Sequence, residues 1–508
     1  MPTIATTLTL GLVLPTASYI IYNWYIYPFF LTPLLKIPGP NPNLNPFEID
    51  SNETGMTELA QIKEYKSNII RGFGFFNKPF VFVASPTGIK RVLGTHAHNY
   101  TRKTLGYNLL RSFFGPSLLV SNGDDHKRQR AIANPAFTLK NLVKYIPTFI
   151  SSARETQQSW NILFTSGTSV VVLDIAEEIS KPTLDIIGRC AFDYEFNSVS
   201  NNTSDFYLWI TTLNKQFDPK HILEDMIPIT KYIIPSVWQR HVKLNKAKED
   251  IRRFAIEMIE RKKDEILSRA NDLSQDVNKV HDLMTLLLEA NINAEAKRTL
   301  DQDELVAQTL LFVTAGHETT STATTFALDF LAKHQSVQNK LRQELIKDMP
   351  QQDDDPPVQY ITSSSTYLDA ICKETLRLSP PFPQTPRLSE TDDWIDGYFI
   401  PKGTRIITSA ATNGRLEEFW GEDVLEFKPE RWLQPNADST TIGPFIPFSY
   451  GIQNCIGQKF AEWEMKTLVA ILVRSFEFSP VEGHTFRKAL GAVQKPVPNL
   501  MLNVKRVE

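Results

Sequence analysis

One cysteine near the C-terminus stands in a setting that favours metal binding. Cys455 lies in the segment FSYGIQNCIG (448–457), just before a helical pattern that starts near Lys459. A thiolate at the N-terminal end of a helix is stabilised by the helix dipole and by unpaired backbone N–H groups. Gly451 and Gly457 can adopt backbone angles denied to other residues, so the chain can approach a flat ligand closely. The segment predicts a metal-binding thiolate, although a lone cysteine is more often a small apolar side chain.

An acid and an alcohol stand next to each other in the longest apolar helical stretch. The sequence AGHETT (315–320) places Glu318 and Thr319 in mid-helix. Glycine followed by Glu-Thr-Thr is poor helix chemistry, and a threonine hydroxyl can bond a carbonyl one turn earlier and open the helix. Such an opening would form a small polar groove in the helix. The alternative interpretation is a polar flaw in a core helix.

A third motif pairs an acid with a base. Glu374 and Arg377 are three residues apart, so their charges can meet on one face of a helix. That helix should end at 380–381, where two prolines cannot continue it. Downstream, the segment FKPERW (427–432) carries Arg431. An exposed pair at this spacing is commonplace and contributes little to stability, so the motif is informative only together with the others.

These motifs, in this order, resemble those of the cytochrome P450 family. The segment 448–457 matches the family's FxxGxxxCxG loop at each fixed position, ETLR (374–377) matches its ExxR pair, and 427–432 is similar to its PERF element. The resemblance runs from about Ile37 to the C-terminus. It implies a mainly α (α+β) fold, the cytochrome P450 fold, in which a long central helix and the cysteine loop sandwich haem b, with small β-sheets.

The resemblance also implies an activity and roles for the motif residues. The protein would be a haem-thiolate monooxygenase that inserts one oxygen atom from O2 into a lipophilic small molecule, by hydroxylation or epoxidation. Cys455 would be the axial thiolate ligand of the haem iron, and its push of electron density favours O–O cleavage. Glu318 and Thr319 would deliver protons. A buried network would hold the cysteine loop in place, formed by Glu374, Arg377 and Arg431.

The contacts expected for the rest of the cofactor depart from the family pattern. DHKRQR (125–130) resembles a WxxxR helix that contacts a haem propionate, with His126 in place of the tryptophan and Arg130 retained. Both can donate a hydrogen bond to a carboxylate. The family's arginine two residues before the cysteine is here Gln453, which donates without charge. Arg387, expected in the loop after the helix of Glu374 and Arg377, could supply the missing charge. The remaining cofactor contacts expected are Phe448 and Gly451.

Apolar side chains are expected to form the substrate pocket. The loop 100–120 and the segment from Pro381 to Pro386 are candidate contacts, as is the part of the central helix above the haem. A mostly apolar lining suits a terpenoid, a polyketide or a long aliphatic chain, as in fungal enzymes of secondary metabolism. The alternative is that these aromatic side chains pack the core. The candidate pocket residues are Phe113, Phe114, Phe312 and Ala315, with Tyr107 and Leu311 beside them.

The N-terminal 36 residues predict a membrane anchor. Residues 1–35 carry no charged side chain, and the apolar run 8–35 is long enough to cross a bilayer core of about 30 Å. The basic start and small-residue exit of a cleaved signal peptide are absent. Lys36 follows the run, so the positive-inside rule places the catalytic domain, 37–508, on the cytosolic side of the endoplasmic reticulum membrane. A buried N-terminal hairpin is the alternative.

Composition and periodicity agree with this interpretation. A net charge of −3 gives no indication of a nucleic-acid partner, and three widely spaced cysteines exclude a disulfide framework or a CxxC metal site. Because the chain carries no Rossmann or flavin signature, electrons should come from NADPH-cytochrome P450 reductase, with Lys459, Lys140 and Arg128 as candidate contacts. Helices are predicted at 138–163, 240–269, 301–333 and 459–476, and strands at 79–84, 397–408 and 499–505.

Two other functions compete with the monooxygenase. A haem isomerase or dehydratase acting on peroxides would need no reductase, but such relatives usually lack the Glu-Thr pair that stands here at 318–319. A membrane-tethered haem sensor without turnover would tolerate Thr319→Ala and would form no oxidation product.

Overall fold

The chain is described by a computed structural model that covers residues 14–45, 53–164, 169–200, 205–214, 221, 224–225, 229–270, 281–295, 298–434 and 445–507. Helices dominate this part of the chain. In chain order the α-helices are α1 (Met56–Tyr65), α2 (Pro86–Ile89), α3 (Leu105–Phe114), α4 (Gly123–Ala133), α5 (Leu139–Leu142), α6 (Ile146–Ile162), α7 (Ile175–Phe192), α8 (Asp205–Asn214), α9 (Thr230–Ile233), α10 (Pro235–Ala270), α11 (Leu283–Ile292), α12 (Gln302–Lys333), α13 (Gln335–Asp348), α14 (Val358–Thr362), α15 (Tyr367–Leu378), α16 (Ala410–Asn413), α17 (Glu417–Trp420) and α18 (Gln458–Ser475).

Twelve strands form four small sheets in the same described residues. They are β1 (Ile69–Phe73), β2 (Pro79–Val83), β3 (Tyr100–Thr101), β4 (Val170–Asp174), β5 (Gln384–Ser389), β6 (Asp393–Ile395), β7 (Tyr398–Ile400), β8 (Arg405–Ser409), β9 (Phe476–Pro480), β10 (Arg487–Leu490), β11 (Gln494–Val497) and β12 (Met501–Arg506). The helices predicted from apolar periodicity are confirmed by α6, α10, α12 and α18, and the predicted strands by β2, β7, β8 and β12.

The chain divides into two compact units, each assembled from several segments. The first comprises Met1–Thr104, Pro383–Val424 and Ser439–Asn454. Its main sheet has the strand order β1–β2–β8–β5–β3, in which only β2 and β8 run parallel. β-Branched residues on these strands suit a pleated, half-buried surface. One core cluster of this unit gathers apolar residues that include Ile69, Val81, Val83, Ile395, Ile400 and Ile406.

The N-terminal segment packs into this first unit. Tyr22–Leu31 forms π-type helical turns around Pro28, and Leu34 and Ile37 are buried in the core cluster. Among the described residues, none of the helices combines the length and apolar character needed to cross a bilayer. Residues 1–13 of the predicted 1–36 anchor lie outside the described residues. The division into an anchor and one catalytic domain stays a prediction.

Arg71 fixes the proline-rich segment that follows. Its guanidinium donates to the carbonyls of Leu35 at 2.9 Å and Pro40 at 3.2 Å, and also to that of Ile37. Because two prolines and a glycine leave this stretch without regular backbone hydrogen bonds, a planar donor with several N–H groups is well suited to satisfy its carbonyls. Arg71 therefore holds the segment 37–40 in place through hydrogen bonds to its carbonyls.

The second unit comprises Leu105–Phe382, Leu425–Asp438 and Cys455–Glu508. Its centre is formed by α6, α7, α12 and α18, which pack against one another. Two small sheets belong to this unit, with the orders β4–β12–β9 and β10–β11. The helix α12 is buried on nearly all sides, as expected of a helix in the core of a large protein.

Local chemistry sets the ends of two helices that carry predicted site residues. Asp301 begins α12 with a capping box: its side chain accepts from the Glu304 N–H at 2.9 Å, and the Glu304 side chain accepts from the Asp301 N–H at 3.1 Å. The hydroxyl of Thr366 caps α15 by accepting a hydrogen bond from the Asp369 N–H. That helix ends at Leu378, ahead of the two prolines. Both boundaries agree with the sequence patterns.

Candidate functional site

The cysteine of the glycine-punctuated loop lies at the start of a helix. Cys455 precedes Gly457, which is the N-cap residue of α18. The Cys455 side chain is exposed, whereas Cys190 and Cys372 are buried. Surrounding protein nevertheless raises the pKa of the Cys455 thiol by burial, while the Gly457 N–H and the charge of Arg130 act in the opposite direction. The thiol therefore lies deep in the fold with one open side.

The helix end acts on this thiol as predicted, because the Gly457 N–H lowers its pKa, but burial has the larger effect and the net shift is upward. A bound cation changes that balance, since a coordinating thiol releases its proton and binds the metal as the thiolate. The two buried cysteines lack this option: burial raises the pKa of both thiols, and neither presents an open side to a ligand. Cys455 is the cysteine suited to metal binding.

Only one of the two loop glycines is required by backbone geometry. Gly451 has φ of +74°, and a Cβ there would lie 2.1 Å from the Leu93 carbonyl oxygen. No L side chain fits, so the glycine is needed for the turn. Gly457 has φ of −89°, and its Cβ would meet Phe137 at an ordinary 3.8 Å. The prediction that Gly457 adopts a backbone angle denied to other residues is therefore wrong.

An arginine that the motifs did not reveal reaches the cysteine loop. Arg102 is buried and donates from Nη2 to the backbone carbonyl of Gln453 at 2.9 Å. Gln453 is itself buried, and Phe448 is half-buried in the same unit. The loop thus has a guanidinium beside the position where the family carries an arginine. No local pattern could have identified Arg102, which is 351 residues away from its partner.

Arg387 is part of a strand and not of a loop. It lies in β5, opposite Ile406 of β8, and is among the largest fully buried side chains of the described residues. Its Nη1 donates to the Pro386 carbonyl at 3.0 Å. The expectation of a loop position is corrected, because the strand pairing carries the chain straight through residue 387. A buried guanidinium with fixed geometry remains compatible with holding a carboxylate.

The basic run 125–130 forms the helix α4. His126 is buried on this helix, and Arg130 is half-buried, with its Nε donating to Asn134 Oδ1 at 2.9 Å. Burial lowers the pKa of Arg130, and the Cys455 thiolate would raise it. Arg130 therefore contributes positive potential at the cysteine. Arg128 instead donates from Nη1 to Glu304 Oε2 at 2.8 Å and so holds the start of α12.

The acid and the alcohol of the central helix both have fixed partners. Glu318 is buried, and its Oε1 lies 3.0 Å from the Lys495 ammonium of β11. The Thr319 hydroxyl donates to the Ala315 carbonyl at 2.8 Å, which is the predicted bond to the preceding turn. The helix itself continues without interruption through 302–333. The expected groove is thus not formed by a break in the helix.

The close approach of α7 explains the glycine of this motif. A Cβ on Gly316 would lie 2.7 Å from Cδ1 of Ile187, so the missing side chain lets the two helices pack tightly. His317 is directed toward α7, where its Nε2 lies 3.0 Å from the Ser180 hydroxyl. Burial lowers the pKa of His317 to about 4, which keeps the imidazole neutral beside Glu318 at neutral pH.

A buried carboxyl group lies on the other helix that contacts α12. Glu464 of α18 is fully buried, and both of its carboxyl oxygens lack a hydrogen-bond partner. Burial raises its pKa well above the usual range of a glutamate, and the neighbouring Thr320 hydroxyl opposes this only in part. Burial in the helix core therefore favours the protonated, neutral form of Glu464.

The acid–base motif forms a closed cluster. Glu374 accepts two bonds from Arg377 at 2.8 Å each, and both side chains are 0% exposed. Arg431 donates from Nε to Glu374 at 2.9 Å. The Lys428 N–H and the Trp432 indole N–H each add a bond at 2.9 Å. The structure therefore brings all three predicted network residues together around one carboxylate whose oxygens are fully used.

The predicted pocket residues are mostly buried in the helical unit. Phe113 and Phe114 lie on α3 with ring centroids 4.4 Å apart, and Phe312 packs edge-on against Phe137 at 5.5 Å. Ala315 is half-buried on α12. Much of the stretch 100–120 is helix and not loop, because Leu105–Phe114 is strongly amphipathic and buries one face. Tyr107 and Leu311 are buried as well.

These observations fit a haem bound through Cys455. The open side of its sulfur, the Gly457 N–H and the positive charge of Arg130 suit an anionic thiolate bound to a single metal ion. Within the described residues, no group of three or more His, Cys, Asp or Glu side chains could hold a metal ion. A porphyrin iron needs only one axial ligand from the protein, and Cys455 can provide it.

Comparisons with known proteins agree with this site. The family model described as Cytochrome P450 matches residues 44–504. Cytochrome P450 monooxygenase 205 of Postia placenta is 32% identical over 501 residues, covering 92% of this chain and 90% of that protein. Ganoderic acid synthetase CYP5150L8 of Ganoderma lucidum is 29% identical over 487 residues, covering 85% and 86%. Cytochrome P450 monooxygenase sphH of Aspergillus fumigatus is 28% identical over 482 residues, covering 91% and 86%.

Proposed function

This chain belongs to the cytochrome P450 family and is a haem-thiolate monooxygenase acting on lipophilic molecules, and we propose that its own substrate is a terpenoid or related secondary metabolite. The observation that carries the activity is Cys455, an open-sided thiol at the start of α18 within the family's cysteine loop. When bound, haem with a thiolate ligand supplies activation of dioxygen, so that one oxygen atom enters the substrate and the other leaves as water.

Within the second unit, the residues that hold the cofactor and those that move protons lie on different helices. Cys455 would bind the iron at the start of α18, with Arg130 adding positive charge from α4. Glu318 and Thr319 lie on α12. The Thr319 hydroxyl donates a hydrogen bond to the Ala315 carbonyl. Its oxygen can also accept a hydrogen bond from a donor. We infer that Glu318 supplies protons and Thr319 orients their delivery.

A reduced carbon monoxide difference spectrum tests the ligand assignment. The wild-type protein should give the strongly red-shifted Soret band of a thiolate-ligated haem, and Cys455→Ser should lose it. Cys372→Ser is a matched control, because that buried cysteine has no open side. Retention of the band by Cys455→Ser would contradict the assignment, provided that far-ultraviolet circular dichroism shows both variants to be folded.

Apolar character supports the proposed substrate class. Phe113, Phe114 and Phe312 are buried in the unit that carries the catalytic pair, and one relative is named a ganoderic acid synthetase. Terpenoids should therefore shift the Soret band toward the high-spin form on titration, whereas a sugar should leave it unchanged. If only long-chain aliphatic compounds gave the shift, the proposed class would be wrong while the monooxygenase activity would stand.

We also propose that NADPH-cytochrome P450 reductase supplies the electrons to this chain. Lys140 and Lys459 are exposed on α5 and α18, two helices that contact each other. Arg128 is no longer a candidate contact for the reductase, because it forms an ion pair with Glu304. Lys140→Glu should slow reduction by the reductase at low salt, and the difference should shrink as salt increases. An equal rate for wild type and variant at low salt would remove Lys140 from the docking surface.

Membrane attachment through residues 1–36, with the body on the cytosolic face of the endoplasmic reticulum, belongs to the same proposal. Support comes from the uncharged stretch 1–35 and from a group of exposed apolar residues around α9, which a water-exposed surface would not favour. The full chain should float with neutral phospholipid vesicles, and serine replacements in that group should weaken flotation. A full chain that stays in solution would contradict attachment. The group consists of Ile229, Tyr232, Ile233, Ile234, Trp238 and Val242.

A further inference from the structure

The acid of the catalytic pair is tied to a β-hairpin distant in sequence. Lys495 Nζ lies 3.0 Å from Glu318 Oε1, and the two residues are 177 positions apart. The glutamate side chain is 5% exposed, whereas that of the lysine is 46% exposed. The ion pair therefore joins a buried, fixed carboxylate to a cation that other groups can still approach.

The hairpin that carries Lys495 is itself well ordered by pairing. Strands β10 and β11 run antiparallel, with Ala489 opposite Lys495 and Leu490 opposite Gln494. A backbone bond from the Gly491 N–H to the Val493 carbonyl, 3.0 Å long, closes the turn. The position of the ammonium is thus set by the hairpin and not only by the flexible lysine side chain.

Two further contacts connect this hairpin to functional parts of the same unit. The Gln494 N–H donates to the carbonyl of Pro381 at 2.8 Å, and Pro381 begins the segment predicted to contact substrate. Lys488 of the opposite strand lies 5.5 Å from the ring centre of Phe326 on α12. One short hairpin therefore touches a candidate substrate segment and the proton-donating helix.

We propose that Lys495 is a positioning residue for the monooxygenase reaction: it holds the Glu318 carboxyl in the orientation for proton delivery and couples that orientation to the segment beginning at Pro381. A ligand that displaces Pro381 moves the hairpin through Gln494, and the ammonium of Lys495 moves with it. The proposal rests on Glu318 as the proton donor, and it is independent of the substrate class.

The described titratable groups near Glu318 differ from Lys495 in charge. His317 is adjacent on α12, and burial lowers its pKa to about 4, so it is neutral at neutral pH. Burial raises the pKa of Tyr207 on α8, and the charges of Glu177 and Glu318 add to the rise. The tyrosine is therefore neutral too. Of these three groups, Lys495 is the one that forms an ion pair with Glu318.

Proton delivery decides between two balanced outcomes. In coupled turnover, substrate, O2, two electrons and two protons give the hydroxylated substrate and one water. Without delivery at the right position, O2 takes up the same two electrons and two protons and leaves as hydrogen peroxide, and the substrate is unchanged. The share of electrons that ends in hydrogen peroxide therefore reports how well Glu318 is positioned.

The test compares Lys495→Met, Lys495→Arg and the control Lys505→Met in the haem-loaded full chain. Lys505 pairs with Glu477 at 3.8 Å on β12, and both side chains are exposed. Lys495→Met should raise the peroxide share by about three- to fivefold, a modest factor because a half-exposed ion pair is screened by solvent. Lys495→Arg should restore coupling, and Lys505→Met should behave as wild type.

A second background separates this proposal from the role of Glu318 itself. In Glu318→Gln, Lys495→Met should add nothing, because the lysine acts through the carboxylate. If Glu318→Gln alone left the peroxide share unchanged, the proton role of Glu318 would be wrong. If Glu318→Gln raised that share but Lys495→Met did not, or if the two effects added, Lys495 would not be a positioning residue for Glu318.

Hydrogen exchange supplies a readout that does not depend on turnover. Amides of 487–497 should exchange faster in Glu318→Gln than in wild type, because the hairpin loses its ionic contact with α12. Those of β9 and β12, in another sheet, should not change. Unaltered exchange in the hairpin would mean that the ion pair does not link the two elements, and it would overturn the coupling.

Discussion

Two buried glutamates of the helical unit are both bound by cations, but their surroundings differ. Glu374 on α15 receives bonds from two arginines, a backbone N–H and an indole N–H, all within 2.8–2.9 Å. Glu318 on α12 is held by Lys495, whose side chain reaches solvent. A carboxylate enclosed by donors on every side cannot change partners without losing several bonds. An ion pair with a lysine that reaches solvent is easier to exchange.

This difference separates a structural carboxylate from a reactive one. A buried charge is tolerable only when its partners satisfy it, and Glu374 meets that condition with groups that come from one helix and the segment 426–432. Glu318 has a neutral histidine beside it and an ion pair with a lysine that a hairpin carries. The first arrangement resists perturbation of the segment 426–432, whereas the second suits the proton transfer proposed for Glu318.

The largest effect is expected from removing the enclosed carboxylate. Glu374→Ala should lower the free energy of unfolding by about 3–5 kcal/mol, because Arg377 and Arg431 would remain as buried charges without their partner. Denaturant unfolding followed by circular dichroism measures this loss, and haem content should fall with it. Glu417→Ala is the control, since its pair with Lys63 is exposed and should cost about 0–1 kcal/mol. Equal losses for the two variants would contradict the contrast.

Removing the carboxylate of Glu318 should affect the rate of product formation more than the stability of the fold. Glu318→Gln keeps the shape of the side chain but cannot donate a carboxyl proton, so product formation should fall about 100-fold. The free energy of unfolding should change by less than about 1 kcal/mol, because a half-exposed ion pair contributes little. Product chromatography and denaturant unfolding measure the two quantities. A stability loss as large as that of Glu374→Ala would show that both carboxylates are structural.

The two glutamates also differ in how far sequence could place them. Glu374 and Arg377 are three residues apart on one helix, and Pro380 marks its end, so local spacing was enough to predict their contact. The partner of Glu318 was not predicted, because Lys495 is 177 residues away and its position depends on the path of a hairpin. Local rules cover spacing within a helix and not a contact between distant elements.

Other differences between sequence and structure have the same physical origin. Gly451 was predicted for close backbone approach and indeed lies against the Leu93 carbonyl, whereas Gly457 has no such neighbour. Arg128 was expected at a docking surface, but the capping box at the start of α12 takes it up through Glu304. In each case the residue type indicated which contact the residue could make. Its neighbours in the folded chain determine which contact it does make.

The neutral histidine beside Glu318 should give stability a distinct dependence on pH. The pKa of His317 is about 4 in the folded chain and about 6.5 when unfolded. Between these values the unfolded chain binds more protons, so this residue's contribution to stability is complete above pH 6.5 and is lost as pH falls toward 4. From pH 6.5 to 5 the loss should be about 2 kcal/mol, at about 1.4 kcal/mol per pH unit.

The measurement is the difference in unfolding free energy between wild type and His317→Gln across this range. A difference is needed because Glu464 has a raised pKa, so its contribution has the opposite slope as the unfolded carboxyl ionises above about pH 4.5. As pH falls, the unfolding free energy of His317→Gln should rise relative to that of wild type. Parallel curves would mean that folding does not shift the pKa of His317, and the contrast between the surroundings of the two glutamates would then weaken.

The smallest effect tests how closely α7 must approach the helix of Glu318. Gly316→Ala places a Cβ 2.7 Å from Cδ1 of Ile187, and the gain in helix propensity offsets part of the overpacking. The net loss in unfolding free energy should be about 1 kcal/mol. Ile187→Val removes the clashing methyl, so it should recover most of this loss in the double variant, whereas it costs about 1 kcal/mol alone.

Because Gly316 is two residues before Glu318, the single variant should also raise the peroxide share, and Ile187→Val should reverse that rise. If stability recovers in the double variant but coupling does not, the position of Glu318 depends on the helix backbone at residue 316 and not on its distance from α7.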